Sequence, residues 1–308
     1  MWPELPYAAW KDTYATLHPQ MQIVGKIRLA QTPWLNHSWH VVLYVSARGL
    51  TTSPIPYGQR MFELEFDFLK HVLSVSTDDG SYKEVGLFPR SVAEFYGAVM
   101  QALSEFDIDI HIHEMPNELQ EAIRFSDDRI HASYDRDYAQ RHWQILFQVN
   151  RVLAKFRTSF IGKCSPVHFF WGSFDLAVTR FSGRPAPLHP GGVPNLPDAV
   201  AQEAYSHEVS SAGFWPGSDA LRYPAFYSYA YPEPPGFSSA SIRPAQAFYS
   251  EELSEYILPY DGVRTAEDPD RVLMDFLTSA YEAAASTGKW DRPALETDIG
   301  VPGRPRAV

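Results

Sequence analysis

FIGKCSPVHFFWGSFDLAVTRFSG, residues 160–183, is the stretch on which the fold turns. It opens as a turn, Gly162-Lys163-Cys164-Ser165-Pro166, and then reads as extended from Val167 to Phe181, interrupted only by Gly172. Phe, Trp and Val suit a pleated surface. A strand with one wet face would alternate apolar and polar residues. This one is apolar on both faces, which predicts a central strand covered on both sides. Lys163, His168, Ser173, Asp175 and Arg180 stand out against that background, because burying such groups costs free energy unless they are paired or used. The stretch is therefore expected to hold a site as well as the middle of a sheet.

The segments around it complete one unit. Residues 138–157 form a helical pattern, with Trp143, Leu146, Val149, Leu153 and Phe156 on one side. A long Pro/Gly loop, 185–197, leaves the central strand and is expected to lie near the site as a lid. AYSHEVSSAGFW (204–215) and PAFYSYAYPE (224–233) read as strands. A helix capped at Asp268 closes the unit.

The first part of the chain runs in the same order. Residues 7–30 recur in helical steps through Trp10, Tyr14, Leu17, Met21, Val24 and Ile27, with Pro19 expected to kink or split the helix. A strand is expected over 39–49. MFELEFDF (61–68) alternates as a half-buried strand, a hairpin turns at Asp79-Gly80, and Ser91 with Glu94 forms a capping box. DIHIHE (109–114) reads as a short strand. Leu17, Lys26 and Arg28 match Leu146, Lys155 and Arg157 at one constant offset, and His40 meets His168 one residue of slippage later. The expected fold is α+β: a duplicated unit of helix, antiparallel sheet and closing helix, helix-grip or TATA-binding-protein-like by analogy of topology. The repeats span 1–115 and 136–290, joined by a linker at 116–135 and followed by a loose tail at 291–308. The two units either share one sheet or face each other across a cleft.

The chain has 308 residues, 26 basic against 37 acidic, for a net charge of −11. That balance argues against a nucleic-acid partner, whose affinity comes from neutralised phosphates. No apolar run approaches the ~20 residues that span a bilayer, and the N-terminal residues lack the pattern of a secretory signal. A lone cysteine, Cys164, fits a reducing cytoplasm.

GKIRLAQTPWLNHSWHV, GLTTSPIPYG, the 160–184 stretch, AYSHEVSSAGFWPG and ILPYDGVR together resemble a bacterial domain-of-unknown-function family, number 5996, over about residues 1–296. The resemblance implies no reaction. It only marks the same stretches as those singled out above.

Five groupings are candidates for chemistry. His40, His168 and His207 could hold a divalent metal if the halves pack pseudo-symmetrically; otherwise each is a core histidine satisfied on its own. Arg151, Lys155, Arg157, Lys163, Arg180 and Arg184 form a locally basic run, joined by Lys26 and Arg28, whose turn at Lys163 and Ser165 could grip an anionic small molecule. The alternative is a solvated helix face with internal ion pairs. Trp171 and Tyr229 belong to a dense aromatic set that either walls a ligand cavity or is plain core. Tyr227, Tyr229 and Tyr231 share one strand face, which favours a polar floor. Asp175, Glu208 and His168 are the catalytic candidates, Asp175 and Glu208 as general bases raised by burial, although Asp175 also reads as an ion-pair partner of Arg180. Only one of His207 and Glu208 can point inward on an unbulged strand, and His207 is the easier to satisfy. Two functions follow: a small-molecule enzyme with a histidine-centred site, or a non-catalytic binder of a small ligand.

Overall fold

Tyr7–Gln31 forms one helix, α1, in a computed structural model that describes residues 2–306. Every residue from Thr16 to Arg28 is buried, so this stretch of α1 has no wet face and behaves as a core helix. Pro19 lies inside it, and of the two outcomes expected there, a kink or a split, the split does not occur. Packing on all sides overrides the local cost of the missing N–H.

Two antiparallel sheets surround this helix. The first contains β1 (Tyr44–Val45), β2 (Gly49–Thr51), β3 (Ile55–Tyr57), β4 (Arg60–Asp67), β5 (Val72–Thr77) and β6 (Tyr82–Gly86), in the order β1-β2-β4-β5-β6 with β3 on β4. The alternation in β4 is realised: Phe62, Leu64 and Phe66 are buried, while Glu63 and Glu65 accept from the hydroxyls of Thr51 and Ser46. Gly80 turns the β5–β6 hairpin at φ 87°, a left-handed conformation glycine adopts freely. α2 (Val92–Ser104) starts with the capping box of Ser91 and Glu94. Two strands fall short of expectation. The one over 39–49 shrinks to β1, because Asn36–Ser38 forms a 3-10 turn with His37 at φ 60°. Ile108 and Ile110 bury themselves as strand residues would, but no neighbouring strand pairs with 109–114 among the described residues.

The second half begins with α3 (Arg136–Arg157), capped by Asp135. Its sheet runs β11-β12-β10-β9-β8-β7, built from β7 (His168–Phe170), β8 (Asp175–Pro185), β9 (His207–Trp215), β10 (Ala225–Tyr231), β11 (Phe248–Ser250) and β12 (Glu255–Pro259), with α4 (Asp198–Ala204) before β9. The stretch 167–181 is therefore a hairpin and not one strand. His168 faces Ala177 and Phe170 faces Asp175 across it, and Phe174 at φ 57° closes the turn. The apolar run misleads because Trp171 and Phe174 in the turn are themselves buried. β8 is not at the centre of this sheet but next to its edge strand β7, with β9 on its other side. After α5 (Tyr260–Arg264), α6 (Pro269–Thr287) starts at its Asp268 cap and packs with α3 on one face of this sheet. Residues 291–297, placed in the tail by sequence, carry α7 (Arg292–Leu295) and bond back to Ser159 and Ile161.

The two sheets touch edge to edge. Leu43, just before β1, and Phe169 of β7 exchange both backbone hydrogen bonds, at 2.9 and 2.8 Å. No helix among the described residues is long and apolar enough to cross a membrane.

Candidate functional site

α3 and α6 cover one face of the second sheet. The other face is the floor of a cavity of about 530 Å³. Strand alternation decides what enters it: Asp175, Ala177, Thr179 and Phe181 from β8, Val209 and Ser211 from β9, Tyr227 and Tyr229 from β10, and His168 and Phe170 from β7. The roof is made by Lys26 and Leu29 of α1, the turn from Trp34 to Val41, Asn117 and Glu118, and the loop and helix from Val193 to Tyr205.

The charged end of the cavity lies at the β7–β8 turn. Asp175 is 4 % exposed and accepts from Ser173 Oγ at 2.5 Å and from the phenol of Tyr227. Burial pushes its carboxyl above the usual range despite both donors. Glu118 comes from the segment read as a linker. It is held at φ 63°, and its side chain lies against the Cα of Gly172, where a Cβ would meet Oε1 at 2.0 Å. Its carboxylate has no hydrogen-bond or ion-pair partner among the described residues, and Glu118 lines the cavity. Burial, then the charge of Asp175, raises its pKa to about 7. Lys26 is 4 % exposed and likewise makes no ion pair or hydrogen bond; its Nζ lies 5.9 Å from the Trp171 ring, and burial lowers its pKa to about 8.

The frame around this end is rigid. Gly25 lets the Trp171 indole press on α1, since a Cβ there would come within 2.1 Å of Nε1, and that nitrogen donates to Val41 O at 2.8 Å. His18 Nε2 donates to Gly172 O at 2.8 Å, and Gln22 brackets the backbone of Asn117 from both sides. Deeper along the floor, Thr179 and Ser211 share a hydrogen bond at 2.9 Å, as do the phenols of Tyr205 and Tyr229. The far end is aromatic, with the Trp39 and Phe181 rings 5.8 Å apart and the His37 ring 4.5 Å from Phe181.

The candidate residues distribute unevenly. His168, Asp175, Trp171 and Tyr229 line the cavity. His168 donates from Nδ1 to Pro166 O at 2.7 Å and is held neutral by burial, which lowers its pKa to about 4. Lys163 stands behind the wall, donating to Nε2 of His37, and His37 lines the cavity. Ser165 pins its turn to β8 through Thr179 N and does not reach the cavity. Glu208 points to the other side of β9, where it accepts from Ser182 and Arg184.

Three groupings do not assemble. The Asp175–Arg180 pair is excluded because an odd separation along β8 puts the two on opposite faces. Arg180 is instead buried beneath the helices, stacked 3.5 Å from the Phe156 ring and donating to Phe156 O. The basic run disperses likewise: Arg151 pairs with Asp270, Arg184 with Glu208, and Arg157 donates to Ser165 O. The histidine trio fails on distance. His168 is level with Gly213 through Ala177, and from Gly213 to His207 the strand runs roughly 20 Å at ~3.3 Å per residue. Zn–N bonds of about 2 Å cannot bridge that gap. His40 lies outside the cavity wall, beside Trp34. Among the described residues no three His, Cys, Asp or Glu side chains are grouped to hold a metal.

A model of the family described as "Family of unknown function (DUF5996)" matches residues 2–297. No curated protein and no solved structure matches the chain.

Proposed function

We propose that this chain, which belongs to the family of unknown function DUF5996, holds a small organic ligand in the cavity between its second sheet and α1. The supporting observation is the pair Lys26 and Glu118. Two ionisable groups of opposite kind line one cavity, and neither has a hydrogen-bond or ion-pair partner among the described residues. Polar groups withdrawn from water without replacement cost free energy, and a bound ligand supplies the replacement. The volume is that of a small-molecule site, with apolar walls and a few convergent polar groups.

The test is native mass spectrometry of protein purified without an affinity tag, followed by denaturation and analysis of what is released, alongside thermal-shift screening of small organic compounds. Val200→Trp, which fills the cavity from a short roof helix, is the control. A stoichiometric small molecule, or a screening hit, that Val200→Trp abolishes supports the reading. Neither released compound nor hit overturns it.

One observation favours catalysis by the same cavity. A carboxyl poised near pH 7 with a free face toward the ligand is suited to moving a proton, and Glu118 has that character. In this reading Glu118 is the general base or acid, and the histidines serve as neutral walls. Turnover of a bound compound that Glu118→Gln removes while affinity persists would distinguish it from binding alone.

A further inference from the structure

We infer that the ligand is a zwitterion, carrying an ammonium and a carboxylate on an aromatic or branched apolar body, as in an apolar amino acid or a short peptide of one. The inference deepens the ligand-binding reading and rests on it. Lys26 and Glu118 are both brought to the β7–β8 turn, one beside Trp171 and the other against Gly172, its neighbour in sequence. Both line the cavity, and among the described residues neither forms an ion pair with the other. α1 cannot shift to close the space, because Trp171 is wedged against Gly25 and His18 is bonded to Gly172. A ligand that set a carboxylate on Lys26 and an ammonium on Glu118 would complete both charges at once, with charge-assisted hydrogen bonds in a setting shielded from water.

The surroundings favour the same polarity. Asp175 adds a second carboxyl on the Glu118 side, close enough to raise the pKa of Glu118, so the ammonium end meets two acids. An anion without an ammonium would leave Glu118 unmatched, and a cation without a carboxylate would leave Lys26 unmatched. The body of the ligand then lies along β8 toward Trp39 and Phe181, an aromatic end roughly 20 Å from Asp175 at ~3.3 Å per strand residue. That length admits a body larger than a single side chain.

Four probes with one phenyl body separate the contributions: phenylalanine, 3-phenylpropionate, phenethylamine and 2-phenylethanol. Calorimetry on the full chain should rank phenylalanine first. Lys26→Met should weaken phenylalanine and 3-phenylpropionate roughly tenfold or more and leave phenethylamine unchanged. Glu118→Gln should do the reverse, and Lys26→Arg should recover most of the carboxylate affinity. Should Lys26→Met unfold the chain, Lys26→Arg and Glu118→Gln still carry the comparison. If 2-phenylethanol binds as well as phenylalanine, Val200→Trp abolishes both and neither charge variant discriminates, the zwitterion inference is overturned while the cavity remains a ligand site. If no probe binds, a panel of apolar dipeptides with their amino-acetylated and amidated forms repeats the comparison, and indifference of that panel to either charged group overturns the inference as well.

Discussion

The phenol of Tyr227 reaches over Gly213 to donate a hydrogen bond to the carboxylate of Asp175. The two strands that carry them are not neighbours; β9 lies between, and a Cβ on Gly213 would stand 2.5 Å from the phenolic oxygen. This glycine is a passage for a side chain. Gly213→Ala should displace the phenol and leave Asp175 with Ser173 alone. Tyr227→Phe removes the donor without moving the backbone. Tyr227→Phe should cost about 1–3 kcal/mol, the penalty of a buried polar group losing its partner. Gly213→Ala should cost more, because its Cβ would also stand 2.5 Å from Leu176 O. Urea unfolding measures it, and equal stability of wild type and Tyr227→Phe would show that the bond contributes nothing.

The seam between the sheets makes a second prediction. Leu43 and Phe169 are the backbone link between the two halves' sheets. Leu43→Pro removes its N–H, one of the two bonds, together with a fully buried side chain, and should cost more than about 3 kcal/mol. Because α1 is packed on both sides, unfolding should stay a single transition, checked by comparing tryptophan fluorescence with circular dichroism. Two separated transitions would show that the seam, rather than α1, couples the halves.

What the sequence disclosed follows from the range of each signal. Local chemistry was legible: the alternation of β4, the Ser91–Glu94 box and the Asp268 cap need only neighbours in sequence. The three phenols on β10 were legible as a polar floor by their period of two, and Tyr227 and Tyr229 line it. The same period places Asp175 and Arg180 on opposite faces, so that correction was available from sequence. Glu118 was not. It sits in a segment with no regular structure, and what fixes it is long-range: Gln22 of α1 holds Asn117 from 95 residues away. Histidine spacing misled because an imidazole satisfied by a nearby carbonyl, as His168 is by Pro166, carries the same letter as a metal ligand.

The pH dependence of stability should have two limbs. Burial lowers the pKa of His18 and His168 to about 4 and of His142 to about 3, from 6.5. Between those values and 6.5 the unfolded chain binds more protons, so these groups withdraw stability as pH falls below 6.5. Burial raises Glu118 to about 7 and Glu255 to about 8, from 4.5. There the folded chain binds more protons, and stability falls as pH rises from 4.5 toward those values. Each group changes the slope by about 1.4 kcal/mol per pH unit within its window. Glu118→Gln should flatten the fall between pH 5 and 7. His142, wedged between Trp10 and Phe174 with both ring nitrogens unpartnered, should be replaceable by Phe with gained stability, more at pH 5 than at pH 7. Melting temperatures at the two pH values test both variants, and a histidine variant that gains more at pH 7 would refute the sign.

The last prediction concerns the loop over the cavity. Residues 193–197 form part of the roof, reached through Gly191 and Gly192 at positive φ. They are tied down at three points: Glu118 N donates to Pro194 O at 2.8 Å, Asn117 Nδ2 to Asn195 O at 2.5 Å, and Asn195 Nδ2 to Leu119 O at 3.3 Å. Two of these bonds use side chains, so they can be cut without touching the backbone that carries Glu118. The bonds from Gln22 to the backbone of Asn117 survive in Asn117→Ala, which therefore leaves the site in place and loosens only the lid. The loop lies on the surface and closes little core, so the melting temperature should move by less than that of the Tyr227→Phe variant. Dissociation of a ligand identified by screening should quicken several-fold while association changes little, since a lid acts mainly on escape. Hydrogen exchange at 191–197 should rise in the same variant. A large drop in melting temperature with unchanged dissociation would assign the loop to the core fold and remove it from the site.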